Sequence, residues 1–330
     1  MNMIKRILNI AFLLIILLIG LFVFFLKSDY TNLTTKEEGY ILLIEKGDNI
    51  RKIAEKLDIN DIYKKPFTAF FVMRLMLKGK SINAGEYEIL KNDSLFDLVH
   101  KIKHKIHYYR KITFIEGETA SRYLEQINYS FGLLGNATEE IKEGYFMPGT
   151  YNYLYGETKN SLIKRAREDM INFVNTEFSK IENKEEFYLK NINEIISLAS
   201  VVEKESGIGL ERKLIAGVFL NRLKKGMRLQ SDPTTIYEIT KGKYKLDRPL
   251  TYADLTIKGE YNTYYIKGIP AFPIASPGKE SIIAVLNPQK TESLFFVADG
   301  NGGHNFSDSY EEHLENVKIY KQSLKKDETK

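Results

Sequence analysis

The chain contains no cysteine in its 330 residues. Disulfides, thiolate metal sites and thiol nucleophiles are thereby excluded, while the compartment stays open, because a cysteine-free chain suits either side of a membrane. It also lacks a surplus of one charge. The 48 Lys plus Arg and 43 Asp plus Glu leave +5, spread along the chain apart from a lysine-rich C-terminal tail. Nucleic acid is therefore not an expected partner. Two further signatures are missing. His304 and His313 have no H-E-x-x-H partner, so no metal is expected, and GNGGHNF lacks the lysine and serine of a P-loop. No cofactor is implied. Ser161 and Lys164 spell S-x-x-K, but the companion motifs of penicillin-binding enzymes are absent and the tetrad opens a polar helix, so it reads as coincidence.

What is present is ordinary globular composition, 43% apolar and 28% charged, with length for two or three compact units. Residues 10–26 are unbroken apolar or glycine, and with Ile7 and Leu8 the run reaches about 20 residues, roughly 30 Å as a helix. Lys5 and Arg6 precede it, which by the positive-inside rule keeps the N-terminus cytoplasmic and puts everything from Ser28 onward outside. A cleaved signal peptide is the competing reading. The run is long for one, and no small-x-small site follows, so an uncleaved single-pass anchor in the cell (inner) membrane is expected over residues 1–27, with a linker at 28–39.

Mixed strands and helices without a βαβ rhythm predict an α+β fold. A strand at residues 40–44 is followed by a turn at Gly47, a cap at Asp48 and a helix carrying Ile50, Ile53, Ala54 and Leu57. A second helix near residues 66–77, a strand from Gly85 and a helix capped among Asn92, Asp93 and Ser94 complete residues 40–106. The run ILLIEKGDNIRKIAEKL resembles the first half of a LysM module, which implies binding of N-acetylglucosamine-containing glycan. A generic spacer of strand, turn and helix is the plainer alternative. Residues 107–190 read as an intermediate α+β region, 191–320 as a catalytic domain and 321–330 as the lysine-rich tail.

The catalytic domain opens on NINEIISLASVVEKESG. At helical period Ile192, Ile195, Ile196, Ala199 and Val202 form an apolar stripe, and Glu203 lies on it, four residues after Ala199 and seven after Ile196. Glu205 is turned roughly 200° away, in line with Glu194, on the side that reads as solvent. Burial raises a carboxyl pKa and keeps a glutamic acid protonated for proton transfer, so Glu203 is the expected acid, near a helix end at Gly207. The plainer reading is a helix-end glutamate paired with Lys204 or Lys213.

A second amphipathic helix, ERKLIAGVFLNRL, should pack on the first through Ile215, Val218, Phe219 and Leu223. In MRLQSDPTTIYEI, Asp232 is expected to cap a helix that Pro233 begins, with Gln230 and Ser231 aimed at a ligand. Tyr261, Asn262, Tyr264 and Phe272 stand among Pro270, Pro273 and Pro277, residue types that suit a sugar groove because rings stack on pyranose faces and amides bond hydroxyls.

The segments EGYFMPGTY, LASVVEKES, FLNRLKKGMRLQSDPTTIY, YNTYYIKGIPAFPIASPG and FFVADGNGGHNFSDSYEEH, in that order over residues 143–320, resemble the endolytic murein transglycosylases of the YceG-like (MltG) type. One departure is Gly149, where that family usually has aspartate. The resemblance implies a membrane-anchored lytic transglycosylase that cuts nascent peptidoglycan strands between N-acetylmuramic acid and N-acetylglucosamine, leaving 1,6-anhydromuramic ends. Glycan strands are the implied partner, with membrane peptidoglycan synthases beside them. It also implies that the acid is the first glutamate of E-K-E, Glu203, with Gln230, Ser231, Asn262 and Tyr264 holding the sugars. A silent wall-binding scaffold, or a hydrolytic muramidase pairing Glu203 with Glu205 or Asp232, are the alternatives.

Overall fold

The computed structural model describes residues 10–17, 20, 33, 38–207 and 209–327. The expected anchor and linker lie largely outside these residues. Residues 10–17 are helical and exposed, and among the described residues no helix is long and apolar enough to cross a membrane. The chain is α+β, with two-stranded sheets, and divides into two compact units.

The first unit runs to Arg110 and includes Leu154–Gly156. Strands β1 (Tyr40–Ile44) and β2 (Gly85–Ile89) pair antiparallel, Tyr40 opposite Ile89 and Ile44 opposite Gly85. Helices α1 (Ile50–Ile59) and α2 (Pro66–Met76) join them, and α3 (Leu95–His104) follows. Leu42, Ile44, Ile53, Leu57, Val72, Met73, Tyr87, Leu98 and Ile102 make the core, with Leu33 buried among them. Ser94 caps α3 in a reciprocal box with Asp97. The cap expected at Asp48 sits one residue later, where Asn49 accepts from the Lys52 amide at 3.0 Å. Asp48 instead meets the ammonium groups of Lys52 at 2.7 Å and Lys56 at 2.6 Å, partners strong enough to overcome burial and hold its carboxyl at about 2.

The second unit takes Lys111–Tyr153 and Glu157–Lys330, so from Lys111 onward the region expected to be intermediate belongs to the same unit as the motifs. Strands β3 (Arg110–Phe114) and β4 (Gly149–Tyr153) pair, with α4 (Ala120–Tyr129) between them in sequence. Phe114, Tyr123, Phe146 and Tyr151, with Leu162 and Ala166 from α5 (Lys159–Ser179), form an aromatic core, the Phe114 and Phe146 rings 4.6 Å apart edge to face.

A second core gathers round α6 (Ile192–Glu205). Against it pack α5, α7 (Arg212–Lys224), reached through a 3-10 turn at Gly209–Glu211, α8 (Asp232–Thr240) and α10 (Lys279–Leu286). The short α9 (Tyr252–Leu255) follows α8. The glycine turn after the expected last strand is the bend of a hairpin, β5 (Phe295–Ala298) with β6 (His304–Ser307), a strand the sequence reading did not foresee. Asp299 organises the bend by accepting the amides of Asn301 and Gly303. Helix α11 (Tyr310–Asp327) then packs on both strands.

Candidate active site

Helix α6 starts at an Asn191 cap, which accepts the Glu194 amide at 3.0 Å, and is then buried at every position from Ile195 to Val202. A helix buried on all sides has no solvent face. The two glutamates at its end therefore both point into protein, and their surroundings decide what each can do.

Glu203 leaves 7% of its side chain exposed, as its position predicts, but its setting is not apolar. Its carboxylate accepts from the Arg212 guanidinium at 3.1 Å, the Gly278 amide at 2.9 Å and the Ser281 hydroxyl at 2.7 Å. Gly278 is the N-cap of α10, so Glu203 occupies the electropositive end of that helix and ties it to α6 and to the start of α7. Its fixed charge pushes the neighbouring carboxyl of Glu116, already raised by burial, further up.

Glu205 does not face solvent. Burial, opposed by a hydrogen bond from the Ser231 hydroxyl and reinforced by the charge of Asp232, pushes its carboxyl up to about 7; His304 and Arg222 act in the lowering direction. Near neutral pH this group can both give and take a proton.

The partners of Glu205 are themselves held. Arg222, buried on α7, donates Nε to the Leu294 carbonyl and Nη1 to the Leu229 carbonyl at 2.8 Å, and lies 5.1 Å from the Phe295 ring. It clamps the loop that delivers Gln230 and Ser231. Gln230 adopts φ 51°, a left-handed conformation costly for a residue with a Cβ and a mark of an over-determined site. The Ser231 amide donates to the Thr263 hydroxyl at 3.0 Å, and the Thr234 and Thr263 hydroxyls meet at 2.8 Å, knitting this loop to the YNTYY segment. His304 is fixed by Glu211, which takes its Nδ1 at 2.7 Å and its amide at 3.0 Å.

Of the residues expected to hold sugar, Gln230 is exposed and Tyr264 is half-buried, its hydroxyl donated to Asp232 at 2.6 Å. Ser231, nearly fully buried, is spent on Glu205. Asn262 is wholly buried and serves the fold: its amide donates to the carbonyls of Leu255 and Ile257, and its oxygen accepts from Thr235 and the Tyr264 amide. With both donors and the acceptor engaged it has nothing left for a ligand. The N-cap of α8 is Ser231, without a side-chain capping bond, and Asp232 lies inside the first turn. Gly149, at φ 142°, lines a separate cavity with Arg165, Asn172 and Lys279, and none of the partners of Glu205 lines it. Sequence reasoning put Glu205 on the solvent side, naming it only as a base in the muramidase alternative, and gave no site role to Arg222, Glu211 or His304. For Glu205 the signal was available: Val201 and Leu198, four and seven residues before it, make its side of α6 as apolar as that of Glu203.

The site thus sets a glutamate of raised pKa at the end of a buried helix, beside a Ser/Thr-knit loop and a His-bearing hairpin. The chain belongs to the YceG-like family, whose model matches residues 42–319. Among its relatives, the endolytic murein transglycosylase of Bacillus subtilis (strain 168) is 32% identical over 303 residues, 82% of this chain and 81% of that one. The endolytic murein transglycosylase of Streptococcus pneumoniae serotype 2 (strain D39) is 35% identical over 181 residues, 53% of this chain and 31% of its own length. A crystal structure of a YceG-like protein from Listeria monocytogenes matches with a TM-score of 0.51 at 25% identity, covering 85% of this chain and 99% of that one.

Proposed function

We propose that this chain is an endolytic murein transglycosylase that cuts peptidoglycan strands between N-acetylmuramic acid and N-acetylglucosamine. In this reading residues 1–27 anchor it in a membrane, the rest lies on the outer face, and it works on nascent strands beside the synthases that make them. The observation that carries the chemistry is the deep carboxyl of Glu205, raised to about 7 and oriented by Ser231. We assign the acid to Glu205 rather than to Glu203, whose oxygens are already taken by Arg212, Gly278 and Ser281.

Protonated Glu205 gives its proton to the glycosidic oxygen, the C1–O bond breaks, and positive charge develops at the muramic C1. The resulting carboxylate takes the proton of the same sugar's C6 hydroxyl, whose oxygen bonds to C1 and closes the 1,6-anhydro ring. No water is consumed, and one carboxyl acts twice. Arg222 and His304, both acting to lower the pKa of Glu205, ease its passage through the charged state. Gln230 and the Tyr264 ring, both with exposed surface, are the residues left to contact sugar.

One observation favours a second reading. Asp232 follows Ser231, the hydroxyl partner of Glu205, and its charge raises the Glu205 carboxyl, which makes it the candidate base of a hydrolase. Mass spectrometry of uncrosslinked glycan strands incubated with the chain and with its Glu205→Gln variant tests both. Internal cleavage with 1,6-anhydromuramic ends, lost in the variant, is the expected result. Ordinary reducing ends would transfer the assignment to a muramidase with Asp232 as base, and intact strands would leave a wall-binding scaffold.

A further inference from the structure

Helix α2 is apolar on two sides. Ala69, Val72 and Met73 face the core of the first unit, while Phe67, 80% exposed, and Leu75, 64% exposed, stand eight residues apart on the outward side with Phe71 between them. A helix that is apolar all round is normally covered all round. Exposed Arg74, one turn from Phe71, extends the same line, and exposed Lys78 and Lys80 follow in the turn just past the helix end. Outward aromatic and aliphatic side chains with basic residues at one end are the composition of a helix lying in a lipid interface, rings among the acyl chains and cations at the phosphates.

The length of the chain says which surface is within reach. Leu33 is buried in the core of this unit, and its amide donates to the Asp93 carbonyl at 2.9 Å. Only the six residues 27–32 separate it from the end of the apolar run at Leu26. Such a stretch spans at most about 25 Å, comparable with the width of a domain this small. If that run is a membrane anchor, the first unit is confined to the membrane surface and its uncovered face has a bilayer beside it.

We propose that the outward face of α2, Phe67 and Leu75 with Arg74 and Lys78 beside them, docks on the phospholipid surface of the membrane in which the chain is anchored. The proposal rests on the anchor reading for its geometry. Docking fixes the first unit on the bilayer and leaves the short linker no role as a free spacer.

The chain contains no tryptophan, so a single introduced one reports without background. Full-length Phe67→Trp and Leu75→Trp variants are reconstituted in vesicles of phosphatidylcholine and phosphatidylglycerol, with and without brominated acyl chains. Glu55→Trp, at an exposed site on α1, serves as reference for the same unit. Blue-shifted emission at 67 and 75, lost for the most part in brominated vesicles while emission at 55 persists, is expected. Water-like emission at 67 and 75, or equal quenching at all three sites, overturns the proposal. So does emission that responds to added glycan strands or to protein concentration and not to bromine, which would indicate a sugar or a second copy. Leu17→Trp reports separately on the apolar run: unquenched emission there rejects the anchor, whereas quenching there without quenching at 67 and 75 rejects the docking alone.

Discussion

Glu203 and Glu205 end the same helix two residues apart, both face protein, and each accepts a hydrogen bond from a serine, Ser281 for the first and Ser231 for the second. What separates them is the remainder of each setting. Glu203 adds a guanidinium and the N-terminal amide of α10, so its charge is matched within hydrogen-bonding distance. Glu205 has burial as the largest influence on its carboxyl and a like charge nearby, with His304 and Arg222 acting only through their field. A carboxyl matched by donors makes a joint between elements, and one left short of donors makes an acid.

The sharpest break of that comparison is exchange of each glutamate for its amide. Glu205→Gln removes the proposed proton carrier and should lower the cleavage rate by at least about 10³-fold, within the span of general acid catalysis, while the melting temperature holds or rises because a carboxyl held above its ordinary pKa by burial is gone. Timed release of anhydro ends beside a thermal melt measures both. If Glu205→Gln cuts normally and Glu203→Gln does not, the assignment of the two roles is inverted.

The next effect is pH dependence, and its sign follows from the raised pKa. Folding lifts Glu205 from an ordinary 4.5 to about 7, so the folded protein binds the extra proton. Stability from this group is full below pH 4.5 and is lost as pH rises through about 7, on the order of 3 kcal/mol in all. Urea unfolding between pH 5 and 8 should show this loss, and Glu205→Gln should flatten most of it. What slope remains is set by opposing groups: burial raises Glu116 and Glu143, which acts in the same direction, and lowers His107 and His313, which acts in the other. Turnover needs the protonated acid and should fall about tenfold per pH unit above its pKa.

Glu203→Gln should act on the other axis. It leaves the Arg212 guanidinium, 18% exposed, without its counter-charge and weakens the hold on α10, costing about 2 kcal/mol of unfolding free energy with turnover changed less than tenfold below the melt. A variant that melts like the parent would remove the structural role given to this residue.

How much of this was legible beforehand divides along physical lines. The helical spacing of Ile195, Ile196, Ala199 and Val202 and the strand at residues 40–44 are local patterns, and the structure reproduces them as buried helix and strand. The choice between Glu203 and Glu205 was not local. Sorting α6 into an apolar and a solvent side presupposes one exposed face, whereas α5, α7, α8 and α10 all pack against it, and Leu198 and Val201 on the supposed solvent side are buried. Asn262 misled for a related reason: an amide among tyrosines and prolines suits a sugar groove, yet its partners Leu255, Ile257 and Thr235 come close only once the chain has folded back. His304 and Glu211 lie 93 residues apart in sequence, a pairing no spacing rule anticipates.

The two serines give the smallest effect and the finest test. Ser231→Ala removes a hydrogen bond that favours the carboxylate of Glu205, so the pKa of that group should rise and the alkaline limb of the turnover profile should move upward by a unit or less. Ser281→Ala removes a bond of the same kind from Glu203 and should cost about 1 kcal/mol of stability, with the limb unmoved. Two hydroxyls deleted from the same kind of bond thus read out differently, one in a pH profile and one in a melt. If Ser281→Ala shifts the limb and Ser231→Ala does not, the proton that breaks the glycosidic bond comes from Glu203 after all.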